Sequence, residues 1–155
     1  MRQVEIDVIV PDQNVKSAYE RIRDFKSYPE YSSEVRNVAI ESNNGEMFST
    51  WETTFREGLL RWREKDSFDP ESNTIVFEQT EGDIEHFSGW WKISSEGAGC
   101  RVRFWAQFDM GIPSLSNIID PIAEQALREN MIAILRGLFG GKVEILSEID
   151  ERNFT

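Results

Sequence analysis

Residues 113–141 read PSLSNIIDPIAEQALRENMIAILRGLFGG, the only long helical pattern in the chain. Pro113-Ser114 open it and Gly140-Gly141 close it, the residue types expected at a helix start and stop. At about 100° per residue, Ile119, Ile122, Ala123, Ala126, Ala133, Ile134 and Gly137 fall on one stripe. Glu124, Gln125, Arg128, Glu129 and Arg136 fall on the opposite face. The apolar stripe is rich in small residues, and Asn130 sits near its centre. A core helix normally offers bulky apolar side chains, because interiors are close-packed. Small residues around one amide suit either a helix lying over a space or one packed tightly on a sheet.

Working back from that helix, six strand candidates run in a row: roughly 35–42, 46–56, 59–69, 73–81, 84–94 and 100–110. Their separators are turn-like: Asn43-Asn44-Gly45, Gly58, the run 69–73, Gly82-Asp83 and the run 96–99. Connections this short imply an antiparallel meander. Upstream, Val4, Ile6, Val8 and Val10 alternate through a first strand at 3–10, which Pro11-Asp12 break. Asn14 caps a predicted helix to about Phe25, with Val15, Ala18, Tyr19 and Ile22 inward. A second short helix is expected near Pro29. The order predicts an α+β fold: a seven-stranded curved antiparallel sheet wrapped around a long C-terminal helix, with two short helices after strand 1. Twisted sheets curl, the helix must bury its stripe on the concave face, and such a grip tends to leave a cavity. One domain over 1–149 is expected, with 150–155 as a flexible tail.

Composition narrows the function. The 155 residues carry five Trp, ten Phe and three Tyr, and a formal net charge of −11. That charge argues against a nucleic-acid surface and disfavours anionic membranes. No run of about 18 apolar residues suggests membrane insertion, and no signal-peptide pattern opens the sequence. One Cys (Cys100) and one His (His86) leave no internal disulfide, no multi-Cys metal site and no Ser-His-Asp catalysis. The expectation is a cytoplasmic protein without a metal.

Four stretches carry a family resemblance. Asp24-Phe-Lys-Ser-Tyr-Pro-Glu-Tyr-Ser-Ser-Glu34 is similar to a D-x-x-x-[WY]-P-x-[FL] segment, and Gly82-Asp-Ile-Glu-His-Phe-Ser-Gly-Trp-Trp91 to a G-P-F-x-x-[LM]-x-x-x-W strand. Gln107-Phe-Asp-Met110 is similar to a strand-ending x-F-D-M, and Arg128-Glu-Asn-Met131 to an R-A-N-M on the closing helix. In this order, over about 3–140, the chain resembles the helix-grip proteins of the START and birch-pollen-allergen superfamily. The similarity is to bacterial polyketide aromatase/cyclases and to the coenzyme-Q-binding/ribosome-association-toxin branch.

Strand alternation gives the expected inner face. In 59–69, Leu60, Trp62, Glu64, Asp66 and Phe68 must be interior, because Arg61, Arg63 and Lys65 would not share a core. In 84–94, Phe87, Gly89, Trp91 and Ile93 face in, leaving His86 and Trp90 outside; in 100–110, Val102, Phe104, Ala106, Phe108 and Met110 do. Strand 46–56 is apolar on both sides and gives no answer. The expected lining is Trp62, Phe68, Phe87, Trp91, Phe104 and Phe108, closed by Ala126 and Ile134 from the helix, with Glu64, Asp66 and Asn130 as polar points. Such a wall suits a planar, partly polar ligand, although the same residues would also fill an ordinary core. Glu64 and Asp66 are either rim residues reaching water or a general acid–base pair for enolisation and dehydration. Asn130 either holds a ketone or enol oxygen or ties a strand end. Tyr28 and Tyr31 either guard the entrance or pack under the short helix.

What the resemblance implies is a cavity that folds a poly-β-keto chain held by an acyl carrier protein, followed by regiospecific aldol closure and loss of water without a cofactor. Trp91 and Asn130 match that pattern. Asp66 and Val35 stand where the cyclases carry an Arg and a Tyr, so the chemistry differs or the cavity only binds. Arg56, Arg61, Arg63 and Lys65 are either a basic patch for an acidic carrier protein or, by default, a solvated strand face. The alternative is a non-enzymatic carrier of an isoprenoid quinone or lipid.

Overall fold

The computed structural model describes residues 1–146. Strand β1 is Arg2–Val10; helix α1, Val15–Arg23, follows, and then a 3-10 turn at Phe25–Glu30. The meander is β2 Val35–Asn43, β3 Glu46–Phe55, β4 Gly58–Asp69, β5 Thr74–Gly82, β6 His86–Glu96 and β7 Gly99–Asp109. Helix α2 spans Ser116–Leu138, entered by a 3-10 turn at Pro113–Leu115. The helix-grip architecture is therefore present. One element was not expected: a two-residue strand β8, Glu144–Ile145, pairs with Val8 and Ile9 and makes the sheet eight-stranded among the described residues. Two residues carry too little period-2 pattern to announce a strand. The tail expected over 150–155 lies outside the described residues.

All pairings are antiparallel, in the order β2-β3-β4-β5-β6-β7-β1-β8, so the chain's first strand closes onto its last long one, β7. The short helices form where their signals stand. Asn14 Oδ1 accepts from the Lys16 and Ser17 backbone N–H groups at 2.8 and 3.3 Å, satisfying donors that a helix start leaves without partners. Gly140, with φ 71°, ends α2 in the left-handed conformation, and Gly141 N–H closes back on the Arg136 carbonyl at 2.9 Å.

One core lies between the concave sheet face, α1 and the second half of α2. Within β6, Gly89 is required by close approach: a Cβ there would overlap the Trp105 carbonyl and the Phe77 ring. The structure settles the strand that the sequence left open, because Ser49, Trp51 and Thr53 of β3 are buried while Thr50 is exposed.

The rotation of α2 differs from the expected stripe. Its buried side chains are Arg128, Met131, Ile132, Ile134, Leu135 and Leu138. That line lies roughly a third of a turn away from Ile119, Ala126 and Gly137. Ile122 is exposed, and Arg128, expected outside, is 5% exposed. Its Nη1 donates to the Glu5 carbonyl of β1 at 2.9 Å, and Nη2 lies 3.9 Å from Glu124 Oε2. A guanidinium can be buried when its donors find such acceptors, which a residue's type alone does not reveal. Gly137 turns to the 25–31 segment, where a Cβ would overlap the Tyr31 ring.

Candidate functional site

Between the first half of α2 and the inner faces of β3 to β7 lies a cavity of about 100 Å³, room for several water molecules. Its wall is mostly aromatic. Trp51 and Trp62, directly paired across β3 and β4, stack with centroids 5.7 Å apart and planes 2° from parallel. Phe87 stands edge-on to Trp62 at 5.5 Å, and Trp91 leans on Phe104 at 4.6 Å. Ala123, Ala126, Leu127 and Asn130 of α2 close the other side. The small residues singled out in the sequence thus lie over open space at Ala123 and Ala126, whereas Ala133 is not on the wall.

Of the residues expected at the site, Tyr28, Trp62, Glu64, Phe87, Trp91, Phe104, Phe108, Ala126 and Asn130 line the cavity. Four do not. Phe68 sits farther along β4, against Phe25 and beneath the Arg23 guanidinium. Ile134 is fully buried core, and Tyr31 covers Gly137. Asp66 lies behind the wall, one pleat beyond Glu64. Alternation assigns the face of a strand but not the depth along a curved sheet, and these positions differ in depth. Tyr28 is no gatepost either: it is 1% exposed and its hydroxyl donates to the Ile22 carbonyl at 2.6 Å. Trp51 and Phe77 went unseen, the first because β3 is apolar on both faces. His86, expected in solvent, is half-buried, with Nε2 3.2 Å from Ser88 Oγ.

The polar part of the site is a buried chain of side chains. Glu64 and Asp66 point the same way from β4 and are 3% and 4% exposed. Trp62 Nε1 donates to Glu64 Oε1 at 2.8 Å. Ser49, fully buried and opposite Glu64 in the β3–β4 register, donates its hydroxyl to Asp66 Oδ2 and accepts from Trp51 Nε1 at 2.8 Å. A bulge in β5, where Glu81 faces Arg63 but Gln79 faces Glu64, bends the sheet at this point.

Burial drives the Glu64 carboxyl well above the usual carboxylate range, and its hydrogen bond and charge repulsion with Asp66 add to that. Asp66 is also raised by burial, but the hydrogen bonds from Glu64 and Ser49 pull the other way. Of the two carboxyls, Glu64 is the one whose surroundings more strongly favour holding a proton. Asp66 Oδ1 is buried and finds no partner if both groups are ionised, since two carboxylates are acceptors only. A proton on Glu64 would supply such a donor. Asn130 Oδ1 accepts from Ser32 Oγ at 3.0 Å, leaving the amide N–H donors for the cavity.

Of the expected basic strip, Arg56 lies exposed in the β3–β4 turn, and the three residues on β4 are already neutralised. Arg61 pairs with Glu52 at 2.7 Å, Lys65 with Glu46 at 3.3 Å, and Arg63 with Glu41. Among the described residues no cluster suited to a metal ion occurs, and no helix is long and apolar enough to cross a membrane.

The fold has close structural counterparts. The protein TTHA0849 of Thermus thermophilus superposes with a TM-score of 0.79 at 22% identity, covering 90% of this chain and 96% of that one. The Zhui aromatase/cyclase from a Streptomyces species gives 0.74 at 17% identity, covering 90% and 92%. A START superfamily protein from Mycobacterium smegmatis gives 0.73 at 16%, covering 89% and 97%. Identities this low establish a common fold and no more. Comparison with curated protein sequences finds no significant match. Residues 12–135, most of the sheet and of α2, match the family described as polyketide cyclase / dehydrase and lipid transport, and with the helix-grip fold and its aromatic cavity in place, this chain belongs to that family.

Proposed function

We propose that the cavity binds a poly-β-keto (aromatic polyketide) intermediate and promotes its aldol cyclisation and dehydration, with Glu64 as proton donor and Asp66 as its support. The observation that carries this reading is a buried carboxyl, Glu64, on the wall of an aromatic cavity, with a second buried carboxyl, Asp66, next to it on the same strand face. A wall of aromatic rings, with Trp51 and Trp62 stacked on each other and Phe87 edge-on to Trp62, suits a planar intermediate. The Glu64 O–H would bond to a ketone oxygen and make its carbon electrophilic, while the Asn130 amide would hold the enol oxygen. As the enol carbon forms the new C–C bond, the Glu64 proton passes to the ketone oxygen and the enol proton leaves to the carboxyl pair. In the dehydration a proton from the pair leaves with the hydroxyl as water, and the adjacent C–H proton returns to the pair. The net change is loss of one water, with no oxidation. Asp66, held by Ser49, keeps the proton within reach of Glu64.

Incubation with a minimal polyketide synthase tests this. The protein should replace spontaneous shunt products by one regiospecific aromatic, and Glu64→Gln should abolish that change. Unchanged products across several chain lengths would sink the reading. An acyl carrier protein would present the substrate as a thioester, docking elsewhere than on the paired β4 strip. A second reading, a carrier of a quinone or lipid, is favoured by the scarcity of polar groups on the wall. It predicts co-purification of a hydrophobic ligand that Glu64→Gln still retains.

A further inference from the structure

We infer that the cavity accepts only ligands without a negative charge, so that an acidic substrate must arrive masked as a thioester, ester or ketone. This rests on the cavity being a ligand site and adds the charge class of what enters it. No Lys, Arg or His is among the wall residues. Glu64 is there instead, with Asp66 directly behind it. Two further carboxylates lie beside wall residues. Glu34 accepts from the hydroxyl of Thr54, a wall residue, and Glu85 packs over Gly111, next to the wall residue Met110.

Arg36 and Arg56, which follow the wall residues Val35 and Phe55, are exposed to water and off the wall, and the other cations near this end are engaged elsewhere. Arg61 lies on Glu52 and Arg63 on Glu41, on the outer sheet face, while Arg128 is turned to the Glu5 carbonyl and Glu124. A carboxylate entering the cavity would lose its hydration and find no counter-charge. It would instead meet two acids, in a chain whose net charge of −11 already repels anions. The remaining donor groups, such as the Asn130 amide, are neutral and suit a carbonyl oxygen. Carboxylates are held in proteins by charge-assisted pairs, and the wall offers none.

The test uses two probes of matched shape, 2-acetylnaphthalene and 2-naphthoate, titrated into the wild-type protein at pH 7.5 by calorimetry. The ketone should bind at least about tenfold more tightly, about 1.4 kcal/mol. Equal binding, or tighter binding of the naphthoate, overturns the inference and leaves the ligand cavity standing. Failure of both probes to bind overturns the cavity as well. A second measurement places an ammonium on the wall. Ala123→Lys should raise naphthoate affinity by about tenfold while Ala123→Met, similar in reach but uncharged, should not. Equal gains in both variants would make the selectivity one of shape and overturn the inference.

Discussion

The two halves of α2 have one backbone geometry and two different jobs. From Arg128 to Leu138 the helix is core: Ile134 and Leu135 are fully buried and Arg128 is locked to β1. From Ser116 to Leu127 no residue is fully buried, and Ile118 and Ile122 face solvent. Pro121 lies inside this half and cannot donate to the carbonyl four residues back, so a helical hydrogen bond is missing there. No side chain caps its start. The half that closes the cavity is thus held by few contacts, and in the half that anchors the fold only Asn130 and Met131, at its start, still reach the cavity. Apolar periodicity marks both as one amphipathic helix; what each half faces separates them.

The contrast can be broken most directly in the anchoring half. Leu135→Ala or Ile134→Ala should cost about 2–5 kcal/mol in urea unfolding, whereas Leu127→Ala on the cavity wall should cost clearly less. Equal losses would mean that both halves are packed alike. Next in size, Gly137→Ala should destabilise by about 1–3 kcal/mol, since its methyl meets the Tyr31 ring, and Tyr31→Ala in the same chain should recover part of the loss.

A third expectation concerns the acid facing the weak half. Glu64 titrates higher in the folded chain than in the unfolded one. Through the interval between those values the native state holds the extra proton, so unfolding releases it. The stability this group gives is fully present below the unfolded value, near pH 4.3, and is lost as pH rises through the folded one. The slope is at most about 1.4 kcal/mol per pH unit. Glu64→Gln should therefore gain on the wild type as pH rises from 5 to 8 in parallel urea titrations; a constant difference would contradict the raised titration of Glu64. The smallest stability effect belongs to Ala126→Leu, which should change unfolding by less than about 1 kcal/mol while filling the cavity, so that binding of 2-acetylnaphthalene drops by at least about tenfold. Binding that survives would place the site elsewhere.

The site was legible in the sequence where chemistry and periodicity agree. Trp62 and Glu64 could be placed inside because the other face of β4 holds Arg61, Arg63 and Lys65. Phe87, Trp91, Phe104 and Phe108 followed from clean alternation in β6 and β7. Trp51 could not, since both faces of β3 are partly apolar, and Ser49 could not, since nothing in a lone serine announces that it will bridge an indole and a carboxyl. Asp66 has the same face as Glu64 but lies one step deeper, a difference that comes from the curl of the sheet.

The sequence by itself determined the order of the long elements, their approximate ends and the inward face of most strands, because these depend on residues within a few positions of one another. Tertiary structure alone decided the rotation of α2, the burial of Arg128 against a carbonyl 123 residues away, and which small residues would border space rather than side chains. Those outcomes depend on where distant atoms meet in three dimensions, and no local period encodes that. The segment 113–141 shows both: its pattern fixed that a helix forms, and the concave sheet fixed which part of it would close a cavity.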